Sequence, residues 1–210
     1  VSAYQVPTAR LLDLGCSVGR NCFELATTFS HIDGVDFSAR YIQHGVQLQR
    51  GDRVRYESIV AGDIVDFNEL HLSQFADHCG DNIVFSQGDP CNLKAIFSGY
   101  DVIVAQQVLE QCYDPKLFLK EIVTRLNEGG LLILVSDYDF KEQYADKSKW
   151  LSGVKVNGEN VYGIDGVAER LQSKFDRLTT AELIQPLYSA SRNLQLNNKQ
   201  LSVWRKHEEK

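Results

Sequence analysis

The chain contains no methionine in its 210 residues, only four prolines, and no surplus of basic residues. Each scarcity excludes something. Lys and Arg number 22 against 28 Asp and Glu, a formal net charge of -6. No cationic footprint is available to neutralise phosphates, so neither nucleic acid nor an anionic membrane surface is an expected partner. The one compact basic cluster, Trp204-Arg205-Lys206-His207, runs straight into Glu208-Glu209 and reads as a solvated tail. No apolar run approaches the roughly 20 residues needed to span a bilayer, and the start resembles no secretory leader. The five cysteines (Cys16, Cys22, Cys79, Cys91, Cys112) form no C-x-x-C pair and are odd in number. Neither a zinc site nor a disulfide framework is expected, and a reducing cytoplasm is the natural setting. His31, His44, His71, His78 and His207 show no metal-like spacing, so no metal is expected. The missing methionine, with a strand beginning by residue 10, leads us to expect a piece of a longer polypeptide.

What the sequence does contain is a repeating strand-and-helix pattern. Hydrophobic residues make up 43% and charged residues 24%, which suits one domain over 1–210 with one sizeable core. Residues 10–14 form a short apolar run ending at Gly15 and read as a buried strand. Residues 19–29 carry Cys22, Leu25, Ala26 and Phe29 at helical spacing. Residues 31–36 are a second strand, and 38–49 a helix with Ser38 as N-cap. Residues 82–86 and 100–105 are the third and fourth strands. Asp114-Pro115 opens a helix to Leu126 that Gly129-Gly130 closes, and 131–135 is the fifth strand. Residues 167–175 are expected to be helical. Residues 178–205 read as two strands joined around the turn-forming pair Asn197-Asn198. Insertions are expected at about 58–80 and 138–163. The fold class is therefore α/β, a mostly parallel seven-stranded sheet with an antiparallel edge strand and helices on both faces.

Four segments at the carboxyl ends of these strands carry chemistry. Asp13-Leu14-Gly15-Cys16-Ser17-Val18-Gly19 takes a strand through a glycine turn into a helix, gathering backbone N–H groups at a positive helix end. Its spacing is G-x-x-x-G, not the G-x-G-x-x-G of dinucleotide sites. Asp13 would repel a pyrophosphate and suits a ligand bearing an ammonium group. Cys16 reads as a small packing residue, since no histidine partner makes it a nucleophile. Asp36 ends the second strand, where a carboxylate can accept both hydroxyls of a ribose; Phe37 and Ser38 stand beside it. Gly88-Asp89-Pro90 follows the third strand, with Asp89 suited to an adenine amine. Gln106 and Gln107 follow the fourth, at the border of the ligand crevice in open α/β sheets. Each segment alone also reads as an ordinary turn or cap. In this order they make a nucleoside site, which by itself leaves both a methyl donor and a nicotinamide open.

At these residues the sequence resembles the Rossmann-like S-adenosylmethionine-dependent methyltransferases, over residues 10–137. A narrower resemblance rests on Leu12-Asp13-Leu14-Gly15-Cys16-Ser17-Val18-Gly19-Arg20, Val35-Asp36-Phe37-Ser38-Ala39-Arg40-Tyr41-Ile42, Gln87-Gly88-Asp89-Pro90-Cys91-Asn92-Leu93-Lys94, Tyr113-Asp114-Pro115, Trp150-Leu151 and Val203-Trp204-Arg205. These are similar to the methyltransferase domain of ovothiol biosynthesis, the 4-mercaptohistidine (5-thiohistidine) N-methyltransferases, which stand alone or fused behind a sulfoxide synthase. The resemblance implies S-adenosyl-L-methionine as cofactor, a ring nitrogen of thiohistidine as acceptor, and association with or fusion to a sulfoxide synthase. It departs at Gln107 and Glu110, where the family usually has Asn and Asp. It departs again at Tyr188-Ser189-Ala190-Ser191-Arg192, which keeps one of two expected arginines.

A ring nitrogen with a free lone pair needs no strong base, so Gln106 and Gln107 are the expected catalytic residues, orienting the acceptor rather than deprotonating it. In the second insertion, Tyr138, Asp139, Tyr144 and Trp150 are candidate substrate walls. The planar fork of Arg192 suits an amino-acid carboxylate. Three other readings stand beside this one: a nicotinamide-dependent oxidoreductase, a non-catalytic partner subunit that kept the fold, and a methyltransferase of another small metabolite.

Overall fold

The computed structural model describes residues 2–75 and 80–208; His78 and Cys79, and with them part of the first expected insertion, lie outside the described residues. Strand β1 (Arg10–Leu14) leads to helix α1 (Arg20–Leu25), and β2 (His31–Asp36) to α2 (Ala39–Gln49). A hairpin of β3 (Val54–Ala61) and β4 (Ile64–Leu70) precedes β5 (Ile83–Gln87). Then come β6 (Tyr100–Gln106), α3 (Pro115–Arg125) and β7 (Leu126–Ser136). A small hairpin of β8 (Val154–Val156) and β9 (Glu159–Val161) leads to α4 (Gly163–Leu171), and the long strands β10 (Phe175–Ala190) and β11 (Asn193–Lys206) follow.

Apolar residues on both faces of a strand require cover on both sides. Leu12, Leu14, Ile103, Ala105, Leu132 and Leu134 share one buried cluster with Phe118, Leu119 and Ile122 of α3 and Val167 and Leu171 of α4. The alternate positions Leu11, Val102, Leu131 and Val203 share the other with Cys22 and Phe23 of α1 and Ile42 and Leu48 of α2. The period of two along each strand thus makes two cores, one on each side of a seven-stranded sheet of order β10-β11-β7-β6-β1-β2-β5. Strands β5, β2, β1, β6 and β7 are parallel, and β11 runs antiparallel to both β7 and β10. This is the expected mostly parallel sheet with an antiparallel edge pair. Two helix starts follow from capping chemistry. Ser38 Oγ accepts from the Tyr41 N–H at 3.4 Å, and Asp114 Oδ1 from the Leu117 N–H at 3.0 Å, with Pro115 in the first turn.

Several local expectations are corrected. Helix α1 stops at Leu25, and α4 begins at Gly163, ahead of the expected start. Gly129-Gly130 does not cap α3. The chain is already strand at Leu126, and the glycines form an irregular stretch inside β7, where a Cβ on Gly130 would lie 2.9 Å from the Asn127 oxygen. Asn197-Asn198 is not a turn; the two residues pair with Gln185 and Ile184, and the chain reverses at Ser191-Arg192. Cross-strand pairing outweighs the local turn preference of asparagine there. Pairing between β11 and β7 stops at Gln200 and Ser136, so β10 and β11 continue past the carboxyl end of β7 as a two-stranded ribbon. Its turn meets the other hairpin, the Ser191 N–H donating to the Ile59 carbonyl and the Ser191 hydroxyl to the Val60 carbonyl, both at 3.0 Å. No helix among the described residues is long and apolar enough to cross a membrane.

A buried polar knot ties β1, β2 and β6 together. Asp33, 6% exposed, accepts from the Tyr100 hydroxyl at 2.7 Å and pairs with Arg10 at 3.0 Å. Tyr100→Phe is expected to reduce unfolding free energy by about 1–2 kcal/mol. Urea titration checks this as a lower midpoint at unchanged slope.

Candidate active site

The turn after β1 uses most of its own donors. Gly15, Ser17 and Gly19 adopt left-handed φ values of 70°, 53° and 90°. The N–H groups of Gly15 and Cys16 donate to the Val35 carbonyl at 2.8 and 3.2 Å, and that of Ser17 to Asp36 Oδ2 at 2.9 Å. The expectation that these amides present themselves to a ligand is therefore corrected: they fasten β1 to β2. Close packing explains the glycines. A Cβ on Gly19 would lie 2.4 Å from the Phe85 ring, and one on Gly15 would lie 2.5 Å from Val108 Cγ2. Cys16 is 5% exposed and packs under the turn.

The carboxylates are the recognition elements that remain. Asp36 accepts from Ser17 on Oδ2 and from the Ser38 N–H on Oδ1 at 2.8 Å. Each oxygen keeps a second lone pair, enough for a pair of neighbouring hydroxyls. Asp13 is fully buried; its Oδ2 accepts from the Cys22 thiol at 3.4 Å, while Oδ1 has no hydrogen-bond partner among the described residues. Burial pushes this carboxyl up to about 7, and the nearby Asp36 charge adds to the effect.

A crevice of about 700 Å³ opens above the strand ends. Gly15, Ser17, Asp36 and Phe37 line one side, Asp89 and Pro90 the loop after β5, and Gln106, Gln107 and Tyr144 the far side. Ser38 and Gly88 stand just behind, Ser38 capping α2 and the Gly88 N–H donating to the Asp36 carbonyl at 3.0 Å. Gln107 is held at φ 55° by its N–H bond to the Val135 carbonyl at 2.7 Å. A non-glycine residue in that conformation at a strand end is the kind of strain that collects at functional sites. Gln106 Oε1 accepts from Asn21 of α1 at 3.4 Å.

Four of the five candidate substrate residues are not among those lining the crevice. Tyr138 packs on the α3–α4 side of the sheet and donates to Gln200 at 3.3 Å. Trp150 stacks on Phe140 with ring centroids 6.3 Å apart and donates to the Ala145 carbonyl at 2.9 Å. Asp139 pairs with Lys141 at 3.1 Å on the surface, and Arg192 sits exposed at the ribbon's turn. Sequence reasoning missed Tyr41, Gln111, Tyr113 and Gln143, which do line the crevice. Tyr41 and Tyr113 were legible in principle, since Tyr41 lies in the first turn of α2 and Tyr113 directly precedes the cap of α3.

Among the described residues no lysine or arginine lines this crevice, and Asp36 and Asp89 do, with Asp13 beneath. A pyrophosphate does not fit such a field. A cationic nucleoside does: the unsatisfied Asp13 oxygen suits an ammonium, Asp36 a ribose, and Asp89 and Pro90 an adenine. Among the described residues no group of three or more His, Cys, Asp or Glu could hold a metal.

Fold and crevice together define an α/β enzyme with a site for a positively charged nucleoside. The chain matches the methyltransferase domain family over residues 1–184 and belongs to it. With that family and that crevice, its cofactor is S-adenosyl-L-methionine. No curated protein sequence matches the chain. A solved S-adenosylmethionine-dependent methyltransferase from Methanosarcina mazei is similar at TM-score 0.63 and 16% identity, over 99% of this chain and 97% of that one. The N-methyltransferase NodS from Bradyrhizobium japonicum WM9, solved with S-adenosyl-l-homocysteine, is similar at TM-score 0.58 and 16% identity, over 95% and 79%. A cyclase, SpnF, is similar at TM-score 0.58 and 16% identity, over 97% and 77%. At these identities the likenesses show the fold alone.

Two outcomes follow from the acids. Asp36→Ala is expected to weaken S-adenosylhomocysteine binding by about 1–3 kcal/mol, because its partners are left unpaired; calorimetry showing unchanged affinity would remove Asp36 from the site. Asp13 has its carboxyl raised from 3.8 to about 7, so the folded state holds this proton more tightly than the unfolded. Its contribution to stability is complete below pH 3.8 and is lost as pH rises to about 7. Asp13→Asn should therefore melt higher than the parent protein at pH 8 in the absence of ligand. The two melting curves should draw together towards pH 4.

Proposed function

We propose that the chain transfers a methyl group from S-adenosyl-L-methionine to an imidazole ring nitrogen of 5-thiohistidine, giving ovothiol. The observation that carries this reading is that four of the six family strings, those at 12–20, 35–42, 87–94 and 113–115, contribute to one crevice. Asp36-Phe37-Ser38 and Gly88-Asp89-Pro90 lie against it, with Gln106 and Gln107 across from them. When bound, the donor supplies an electrophilic methyl on a sulfonium. The chain's own residues do the rest by placement. Asp36 holds the ribose, Asp13 faces the ammonium, and Asp89 and Pro90 lie against the adenine.

Gln106 and Gln107 orient the acceptor ring, and Tyr144 walls it. Displacement at carbon needs reacting atoms about 3–3.5 Å apart and in line, so holding the pair there supplies most of the acceleration. A neutral ring nitrogen brings its own lone pair, and the amide and phenol groups at the mouth include no strong base. The same pocket must keep the more nucleophilic sulfur off the donor's axis. A sulfoxide synthase, separate or fused, belongs to this reading as the source of thiohistidine, as does a reducing cytoplasm in which Cys16, Cys22, Cys91 and Cys112 stay free. A methyltransferase of another small metabolite is the second reading, favoured by the placement of Asp139, Trp150 and Arg192 away from the crevice lining.

Incubation with 5-thiohistidine and S-adenosylmethionine is expected to give a product one methyl heavier, with the methyl on ring nitrogen by mass spectrometry and NMR. Methylation on sulfur, or no product, overturns the assignment.

A further inference from the structure

An amino-acid acceptor brings a carboxylate, and among the described residues the crevice lining offers it no lysine or arginine. Strand register places one next door. Gln106, Val135 and Leu201 are aligned across β6, β7 and β11. Side chains two residues apart point to the same face, so Asp137, just past the end of β7, and Lys199, within β11, come next on that face. Lys199 is 2% exposed, and its Nζ has no hydrogen-bond partner among the described residues. The charges facing it are those of Asp137 and Glu110.

Glu110 is already engaged. It is 5% exposed and accepts from the Ser136 hydroxyl at 3.1 Å and the Asp137 N–H at 3.3 Å. Burial above all, then the neighbouring Asp137 charge, pushes its carboxyl up to about 7. Asp137 is exposed, with Oδ1 accepting from the Asp139 N–H at 2.9 Å. Among the described residues, Lys141 pairs with Asp139 at 3.1 Å, and Lys149 with Asp114 at 3.4 Å. An ammonium shut away from water without an acceptor is unfavourable, and an unsatisfied group of that kind calls for a reason.

We propose that Lys199 and Asp137 form the subsite for the zwitterionic end of an α-amino-acid acceptor, Lys199 taking the α-carboxylate and Asp137 the α-ammonium. The proposal rests on the thiohistidine reading for the identity of the ring, and on the cluster itself for the zwitterion. Nζ rides on a flexible four-carbon stem, and at Lys199 the ribbon has already left β7. Turning the ammonium toward Gln106 is then a side-chain rotation that breaks no pairing between β11 and β7. The acceptor's ring then lies toward Gln106 and Gln107, with its charged end held beyond them.

The test compares 5-thiohistidine with its decarboxylated amine, binding each to the full chain saturated with S-adenosylhomocysteine. The parent protein is expected to favour the amino acid by about 10- to 100-fold, the range of a charge-assisted pair. Lys199→Met should abolish that preference while binding the amine and S-adenosylhomocysteine as before, and Lys199→Arg should restore part of it. Lys199→Met should also melt no lower than the parent, since an unpaired buried charge has gone. Asp137→Asn, at an exposed position, should weaken amino acid and amine alike. A preference that survives Lys199→Met overturns the subsite, even where thiohistidine is methylated on nitrogen. A Lys199-dependent preference without ring methylation keeps the subsite and removes the thiohistidine reading. Failure of the parent protein to bind the amino acid overturns both.

Discussion

The grip of the Asp36 carboxylate on two backbone amides is the constraint on which the rest of the site depends. One oxygen holds Ser17 in the left-handed turn after β1, and the other holds Ser38 at the start of α2. A single side chain thus sets the distance between the turn that closes over β1 and the helix that carries Tyr41 to the rim, with Phe37 just ahead of its cap. The same carboxylate is the group proposed to meet the ribose, so structural and ligand contacts share one charge. That economy explains why the turn's own amides can be spent on Val35 and Asp36 without leaving the nucleoside unrecognised.

Much of the fold was legible because it rests on strong, local signals. The five parallel strands are short apolar runs whose alternation fills two cores. The caps Ser38 and Asp114 lie where a hydroxyl or carboxylate has a free N–H to satisfy. The errors fall where a distant partner outweighs a local preference. Asn197-Asn198 has turn chemistry, yet Gln185 and Ile184 hold it in a strand. Gly129-Gly130 looks like a helix end, yet β7 already runs beside β6 at Leu126, opposite Tyr100.

The site divides along the same line. Lining residues adjacent in sequence to strand ends, such as Asp36, Asp89, Gln106 and Gln107, could be named from the text alone. Side chains placed by distant packing could not. Tyr138 takes a left-handed φ of 57°, and its ring packs so closely on α4 that a Cβ on Gly163 would lie 2.2 Å from it, a placement no spacing rule reveals. Lys199 gives even less warning, for it lies in a polar run of β11. Only the register of three strands brings it beside Asp137.

The distribution of charge around the crevice fits a transferase better than a mere binder of cations. A site that placed carboxylates against the sulfonium would stabilise the donor's ground state, and binding of that kind slows the chemical step. On the proposed reading Asp13 meets the ammonium, Asp36 the ribose and Asp89 the adenine, groups that the donor and its spent form share, while the neutral amides of Gln106 and Gln107 line the far side. Attraction is then uniform along the reaction. The barrier is left to be lowered by alignment. The cyclase of similar fold makes the complementary point that a shared fold does not by itself fix the reaction.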